Sequence, residues 1–226
     1  MSRSPSWREW LTGKAVPMAF WSLFLVSVGR KIPASIATLL RDGFALYPAL
    51  ELARHVLTLA FIALVGSTYL TRMRAVDKAR GLREIVFPMF VFLAGIAGMA
   101  ILVLRYKVPR HPALVLSGLA LASCGICCSL WALVHLRNSF SILAEARRPV
   151  TTGPYRLVRH PLYLGEALTM LGLCLTLGSA AALLFWASIN ALQLFRARIE
   201  EDKLARQFDE YRAYREKTPF ILPGLR

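Results

Sequence analysis

Long charge-free runs separated by short basic segments divide the chain into candidate membrane spans. Three of these runs are long enough to cross the roughly 30 Å hydrocarbon core of a bilayer as helices. They are His55–Thr71, Ile85–Leu104 and Ala113–Leu136. A fourth run, Ala15–Gly29, ends at a basic pair without a convincing small-residue cleavage site, so it predicts an uncleaved signal anchor or a short first span. Residues 32–53 are mixed in character, and we expect them to include an interfacial helix.

The last apolar segment, Ala167–Phe195, is too long for one ordinary span. Its 29 residues carry no charge, and as a single α-helix they would extend about 43 Å. Gly178-Ser179 stands near the middle, and both flanks are strongly basic. This pattern favours a re-entrant hairpin of two short helices that returns the chain to the same membrane face. The alternative is one long tilted helix, which would put the two flanks on opposite faces.

A further helix with one inward stripe is predicted after the hairpin. Five residues at steps of four, four, four and three share one helical face. They are Arg196, Glu200, Leu204, Phe208 and Tyr211. The apolar and aromatic members predict that this face packs inward and carries Arg196 and Glu200 with it, whereas Arg198 and Glu201 lie off the stripe. The alternative is an ordinary Arg–Glu pair, four residues apart, on a solvated face.

Composition and charge support a membrane protein. Hydrophobic residues make up 56% of the chain and charged residues only 18%, against about 25% charged in soluble domains. A net charge of +15 is typical of nucleic-acid binding, but the apolar runs favour basic loops that face anionic lipid. Four segments hold 21 of the 28 Lys and Arg residues, so the positive-inside rule predicts that they are cytoplasmic. They are residues 1–14, 72–83, 137–160 and 196–226.

The predicted fold class is therefore all-α. We expect a polytopic integral membrane helical bundle with a C-terminal re-entrant helical hairpin and a cytoplasmic amphipathic helix. Residues 1–136 would supply N-terminal transmembrane helices, and residues 137–226 a C-terminal core. Because the polar loops are too short for a separate soluble domain, we expect both parts to form one structural unit.

The four cysteines, Cys124, Cys127, Cys128 and Cys174, all lie within apolar runs. The first three resemble half of a zinc site, but no second cluster follows, and structural zinc needs four ligands. We therefore expect buried packing cysteines with neither disulfides nor a bound metal.

Candidate chemistry lies in the polar, basic stretch 151–166, between two apolar segments. Gly153-Pro154 indicates a turn, and His160-Pro161 indicates the start of a helix. A histidine, two tyrosines and two arginines are thereby crowded against helical N–H groups that favour anions. From chemistry alone, the histidine is equally typical of a structural interfacial residue, and Tyr155 and Tyr163 are equally typical of interface anchors.

Two parts of the sequence resemble one family of membrane enzymes. The pattern Gly-Pro-Tyr-(x)3-Arg-His-Pro-x-Tyr-x-Gly spans residues 153–165, and Arg-(x)3-Glu-Glu-(x)2-Leu spans residues 196–204. Together with the hairpin between them, they resemble the isoprenylcysteine carboxyl methyltransferases and their prokaryotic relatives, and more distantly the phospholipid methyltransferases. The resemblance covers about residues 138–223. One departure is the sequence Phe-Asp-Glu-Tyr at 208–211, which lacks the glycine that the family often has after the phenylalanine.

The resemblance implies S-adenosylmethionine as the methyl donor, a lipophilic substrate that enters from the bilayer, and an active site facing the cytoplasm. From the cysteine pattern and the apolar runs, we expect no metal and no nucleic-acid partner. The resemblance places eight residues at the cofactor: Glu145, Val150, Tyr155, His160, Pro161, Leu162, Tyr163 and Glu200. It makes Arg196 the substrate-contacting, catalytic residue.

The sequence leaves the methyl acceptor open. A carboxylate, such as that of isoprenylcysteine or a small isoprenoid acid, needs no base, and Arg196 would orient it. A phospholipid amine would need a base, for which His160 and Glu201 are candidates. A membrane sterol-type reductase that uses NADPH shares a similar motif and is one rival reading. A non-catalytic protein that keeps the same scaffold is the other.

Overall fold

The computed structural model describes residues 16–43, 45–71, 75–106 and 111–222. Within these ranges the fold is all-α, and five stretches are long and apolar enough to cross a membrane, which confirms the predicted polytopic class. The helices are α1 (Val16–Gly29), α2 (Ile32–Arg41), α3 (Leu46–Thr71), α4 (Phe87–Arg105), α5 (Pro112–Leu136), α6 (Pro161–Leu177), α7 (Ala180–Gln207) and α8 (Asp209–Lys217).

The chain forms two compact units that divide between Arg72 and Met73. In the first unit, α1 and α2 both pack against α3, and together α1 and α2 make one candidate span, Pro17–Arg41. Helix α3 begins at Leu46, well before the predicted span at His55. The residues of mixed character between Leu46 and His55 are therefore part of the same helix. The functional division predicted at residue 136 stays a prediction.

In the second unit, glycines let α5 and α6 pack at very short range. Gly118 of α5 faces Gly172 of α6, and Gly125 of α5 faces Gly165 of α6. Within each helix the two glycines are seven residues apart. A Cβ atom at Gly172 would lie within 3.0 Å of backbone atoms of Ala122 and Gly118. Because lipid tails are as apolar as leucine, close backbone approach is a main source of helix association in membranes. The glycine contact therefore fixes the position of α6.

Helices α6 and α7 form an antiparallel hairpin. Gly178 has a φ of +57°, the left-handed conformation that commonly ends a helix. Trp186 Nε1 donates a hydrogen bond to the carbonyl oxygen of Ala167 at 2.9 Å, and Gln193 Nε2 donates to Glu166 Oε2 at 3.1 Å. The chain therefore reverses as the pattern predicted, and the alternative of one long helix is wrong. The re-entrant position of this hairpin in a bilayer stays a prediction.

Helix α7 is longer than the second arm predicted for the hairpin. It continues without a break past Phe195 to Gln207, so the predicted amphipathic helix begins as part of the hairpin. The backbone then turns at Phe208, which is extended (φ −136°, ψ 113°), and α8 follows. This turn separates Tyr211 from the rest of the predicted stripe, although its side chain is buried.

The cysteines are only partly as expected. All four are free thiols, and Cys174 is buried, but Cys124 and Cys127 are exposed. The prediction of burial is wrong for these two because the glycines occupy the packed side of α5. Among the described residues, no group of three or more His, Cys, Asp or Glu side chains is arranged as a metal site.

A buried lysine in α7 contacts the segment that leads into α4. The side chain of Lys203 is 4% exposed, and its Nζ lies 2.6 Å from Glu84 Oε2 and 3.4 Å from Asp77 Oδ2. Nζ also donates to the carbonyl oxygen of Lys78 at 2.8 Å. Beside this cluster, Asp77 forms an antiparallel bridge with Ala146. The loop that follows α5 is thereby fixed against α7, where it contributes to the cluster described next.

Candidate active site

The turn before α6 is shaped by a glycine. Gly153 has a φ of +60°, and a Cβ atom there would lie within 3.0 Å of the His135 ring. A short 3-10 turn, Gly153–Arg156, follows. Pro161 is then the first residue of α6, a position that suits proline because the N–H it lacks would have no helical partner. This local geometry presents His160 at the start of the helix.

The imidazole of His160 is enclosed by aromatic rings and one carboxylate. It stacks on the Tyr163 ring with centroids 5.4 Å apart, and it meets the Phe220 ring edge-on at 5.0 Å. Its Nε2 lies 3.1 Å from Glu201 Oε1. Because a carboxylate only accepts hydrogen bonds, Nε2 carries a proton in this contact.

Glu201 is the most buried charged residue of this region, with 0% exposure. Its carboxylate lies 3.2 Å from Arg159 Nε and 3.4 Å from Arg215 Nε. The expectation that Glu201 points away from the site is therefore wrong. The single-stripe pattern failed because α6 and the C-terminal tail also enclose this turn of α7, so more than one of its faces is buried.

The predicted pair of Arg196 and Glu200 forms the second half of the cluster. Arg196 Nε donates to Glu200 Oε1 at 3.1 Å, and Tyr163 Oη donates to the same oxygen at 2.7 Å. The guanidinium lies 5.4 Å from the centre of the Tyr163 ring, and Nη2 donates to the carbonyl oxygen of Ile142 at 2.8 Å. Arg196 is only 5% exposed. Arg196 and Glu200 therefore form an ion pair, but it is not the solvent-exposed pair of the alternative interpretation.

Two polar residues that the sequence reasoning did not assign continue this network. Gln193 accepts a hydrogen bond from Arg196 Nη1 at 3.4 Å and donates one to Glu166 at 3.1 Å. Glu166 directly follows the last glycine of the motif. Their positions in the sequence could have indicated this role, because polar residues on apolar membrane helices usually face a partner or a site.

Tyr155 lies beside the cluster and is buried. Burial raises the pKa of its phenol above the usual range, and Tyr214 and Glu200 act in the same direction. Tyr214 Oη donates to the carbonyl oxygen of Tyr155 at 2.6 Å, and burial likewise raises the pKa of Tyr214. Both phenols are therefore uncharged at neutral pH.

The remaining predicted cofactor residues differ in how they relate to the cluster. Pro161 and Leu162 are buried at the start of α6. Val150 is partly exposed in the loop that follows α5. Glu145, in the same loop, accepts hydrogen bonds from Arg147 Nη2 at 2.7 Å and Ser141 Oγ at 3.0 Å. The loop itself reaches the cluster through the Ile142 carbonyl group.

The C-terminal tail covers His160 although the family's usual glycine is absent. The backbone N–H groups of Arg159 and His160 donate to the carbonyl oxygens of Pro219 and Phe220 at 2.9 and 3.2 Å. The Phe220 ring lies 5.3 Å from the Arg159 guanidinium and 4.7 Å from that of Arg198. The tail therefore pairs with the two N–H groups before α6. In the first turn of α6, the N–H group of Leu164 donates to the carbonyl oxygen of His160 at 3.1 Å, which leaves the N–H groups of Leu162 and Tyr163 without a helical partner.

Comparison with known families supports the same region of the chain. Residues 113–211 match the family described as phospholipid methyltransferase, which confirms the resemblance predicted from the motifs. The matched range runs from α5 into α8, so it includes the motif, the hairpin and the Arg196–Glu200 pair. It covers less than half of the chain and leaves out α1 to α4.

Three curated proteins are similar to part of this chain. The nickel-cobalt-cadmium resistance protein NccN of Alcaligenes xylosoxydans xylosoxydans is 31% identical over 113 residues, which cover 48% of this chain and 47% of that protein. The cobalt-zinc-cadmium resistance protein CzcN of Cupriavidus metallidurans is 34% identical over 109 residues, with the same coverage. The protein-S-isoprenylcysteine O-methyltransferase of Schizosaccharomyces pombe is 36% identical over 100 residues, 41% of this chain and 42% of that protein. The chain thus spans less than half the length of these relatives.

Proposed function

We propose, because residues 113–211 match the phospholipid methyltransferase family, that this chain is an integral membrane methyltransferase. It uses S-adenosylmethionine to methylate a lipophilic acceptor that enters from the bilayer. One observation carries the proposal: the hairpin places Tyr163 of the motif and Arg196 of α7 on the same Glu200 oxygen, at 2.7 and 3.1 Å. Residues far apart in sequence thereby form one polar cluster between apolar helices.

The side chains of the cluster fit the chemical groups of S-adenosylmethionine. Glu200 offers an acceptor for an ammonium group or for ribose hydroxyls, and the Tyr163 ring offers a face to a sulfonium. The first turn of α6 and Arg159 suit a carboxylate. In the described part of the chain, the buried atoms Arg159 Nε and Glu201 Oε2 lie within ion-pair distance of Glu201 and Arg215 but make no hydrogen bond, so hydrogen-bonding capacity is left at this position.

The chemistry requires positioning more than acid–base catalysis. When bound, the donor supplies a methyl group on a positively charged sulfur, and transfer is an in-line displacement. The work left to the chain is to hold acceptor, methyl and sulfur collinear and to keep water away. The stacked rings of His160 and Tyr163 and the tail over His160 support both tasks.

The contacts of Arg196 favour a carboxylate acceptor. Its guanidinium has five N–H groups, of which Glu200, Gln193 and Ile142 receive three. The second N–H of each terminal nitrogen is thus available to orient an anion. The S. pombe relative is named for methylation of isoprenylcysteine. We propose that this chain also methylates a carboxylate acceptor of that kind. The two bacterial relatives are named for metal resistance, which we do not extend to it.

A phospholipid amine is the less favoured acceptor. It would have to lose a proton, which a carboxylate acceptor would not, and one candidate base, Glu201, is already paired with Arg159 and Arg215. We place the site on the cytoplasmic face, because the basic segments that flank the hairpin follow the positive-inside rule.

Calorimetry on the purified protein tests the proposed function directly. We expect S-adenosylmethionine to bind and NADPH not to bind. Binding of NADPH instead would indicate a sterol-type reductase, and binding of neither would indicate a non-catalytic scaffold. Incubation with a labelled methyl donor and membrane lipid extract, followed by product analysis, would then identify the acceptor.

Replacing Glu200 by alanine should abolish most of the cofactor affinity while the protein still folds. The variant removes the oxygen shared by Tyr163 and Arg196, and a charge-assisted contact is worth about 1.5–3 kcal/mol. Titration calorimetry measures the affinity, and thermal unfolding checks the fold. Glu210, which is exposed in α8, provides the matched control as Glu210→Ala. Equal affinities for the two variants would remove Glu200 from the site.

Replacing Arg196 by lysine should spare cofactor affinity and impair turnover. Lysine keeps a positive charge beside Glu200, but it lacks the planar fork that orients a carboxylate. We expect cofactor affinity to change by less than about threefold and turnover to fall by about tenfold or more. Arg206→Lys, at an exposed position of α7, is the control. Full turnover in Arg196→Lys would contradict the proposed contact with the acceptor.

A further inference from the structure

The half of the polar cluster formed by Arg196, Glu200, Gln193 and Glu166 contains more negative than positive charge. The guanidinium of this half, that of Arg196, is paired with Glu200 at 3.1 Å. A second carboxylate, that of Glu166, interacts with the neutral amide of Gln193. Among the residues that the structure describes, no ion pair within 4.0 Å involves Glu166. With both carboxylates ionised, this half of the cluster therefore has one uncompensated negative charge.

Gln193 holds Glu166 in the same network as Arg196. Its Oε1 accepts from Arg196 Nη1 at 3.4 Å, and its Nε2 donates to Glu166 Oε2 at 3.1 Å. A guanidinium only donates and a carboxylate only accepts, so these two neighbours require this orientation of the amide. Glu166 is thus part of the site and not a separate surface charge.

An uncompensated carboxylate on an apolar helix is costly. Polar and ionisable residues in such positions usually serve a ligand. The ligand that compensates Glu166 must be a cation that reaches the Arg196–Glu200 pair. The proposed methyl donor has this property, because its sulfonium and ammonium outnumber its one carboxylate.

We propose that Glu166 is a specificity-determining residue whose charge makes the site prefer the cationic methyl donor to the uncharged sulfur product. The inference rests on the proposed function. Methyl transfer forms a bond between the acceptor's lone pair and the methyl carbon, and it breaks the carbon–sulfur bond. That electron pair stays on sulfur, so S-adenosylhomocysteine has no charge at sulfur. The attraction of Glu166 is then lost, which favours product release.

Glu166→Gln tests the proposal, because it removes the charge and keeps the shape and an acceptor for Gln193. Calorimetry of the full chain in detergent, with S-adenosylmethionine and S-adenosylhomocysteine as separate probes, gives two dissociation constants for each protein. We expect the wild-type protein to prefer S-adenosylmethionine. In Glu166→Gln its affinity should fall by about tenfold, with the S-adenosylhomocysteine affinity unchanged within about twofold. Glu166→Asp should retain the preference, and Glu210→Gln at an exposed position should behave as wild type.

Other outcomes overturn the proposal in distinguishable ways. An unchanged affinity ratio in Glu166→Gln would overturn the role of Glu166 but leave the proposed function intact. Binding of neither compound to the wild-type protein would overturn both. If Glu166→Gln does not fold, the wild-type protein and Glu166→Asp can be compared with a third probe, sinefungin, which has a protonated amine near the sulfur position. Equal affinities for the two cations and S-adenosylhomocysteine would then overturn the charge preference.

Discussion

Replacing Gly172 by alanine is expected to destabilise the protein by about 3 kcal/mol, near the upper end of the usual range for overpacked sites. The new methyl group would lie within 3.0 Å of the backbone of Gly118 and Ala122 in α5. If the atoms facing the new methyl group belonged to a flexible side chain, they could rotate away. They belong to the backbone of α5, which cannot. Helices α5 and α6 would have to separate, and close helix contact is a main source of stability in a membrane.

The same separation should weaken cofactor binding, because α6 carries His160 and Tyr163 into the site. Thermal unfolding in detergent and titration calorimetry measure the two effects. Gly95→Ala in α4 is the matched control, since a Cβ atom there would lie 3.7 Å from Ile189 Cγ1, an ordinary contact. If both variants unfold at the same temperature, the glycine contact does not determine the position of α6.

The sequence predicted the helices and the chain reversal because membrane helices leave a strong pattern. Runs without charge must satisfy their backbone polar groups internally, so they form helices. The basic flanks of Ala167–Phe195 and the glycine near its middle were enough to favour the hairpin. The spacing of Arg196 and Glu200 likewise placed both on the inward face of α7, where both now form the cluster.

Features that depend on neighbouring helices could not be predicted from one helix at a time. The seven-residue spacing of glycines in α5 and α6 acquires meaning only when the two helices are seen to face each other. The exposed Cys124 and Cys127 follow from the same packing. Glu201 was placed off the inward stripe because the stripe assumes one buried face, whereas α6 and the tail enclose α7 from further sides.

Adjacent glutamates of α7 should therefore have opposite mutant phenotypes. Glu200 contacts Tyr163 and Arg196 and is partly exposed, so its loss should affect ligand binding more than folding. Glu201 is 0% exposed, and its carboxylate lies within 3.4 Å of Arg159 and Arg215. Its loss should mainly affect folding.

Replacing Glu201 by glutamine is expected to destabilise the protein by about 3–5 kcal/mol, the usual cost of removing one partner of a buried ion pair. Arg159 has only 11% side-chain exposure, so it would be left as a buried cation, and the new amide N–H would face its N–H groups. Thermal unfolding should show a large decrease in melting temperature. Asp202→Asn is the control, because Asp202 is the next residue, contacts Arg215 at 3.5 Å and is 44% exposed. Equal melting temperatures for the two variants would show that the buried ion pair does not hold α7 against α6, and the separation of roles between the two glutamates would fail with it.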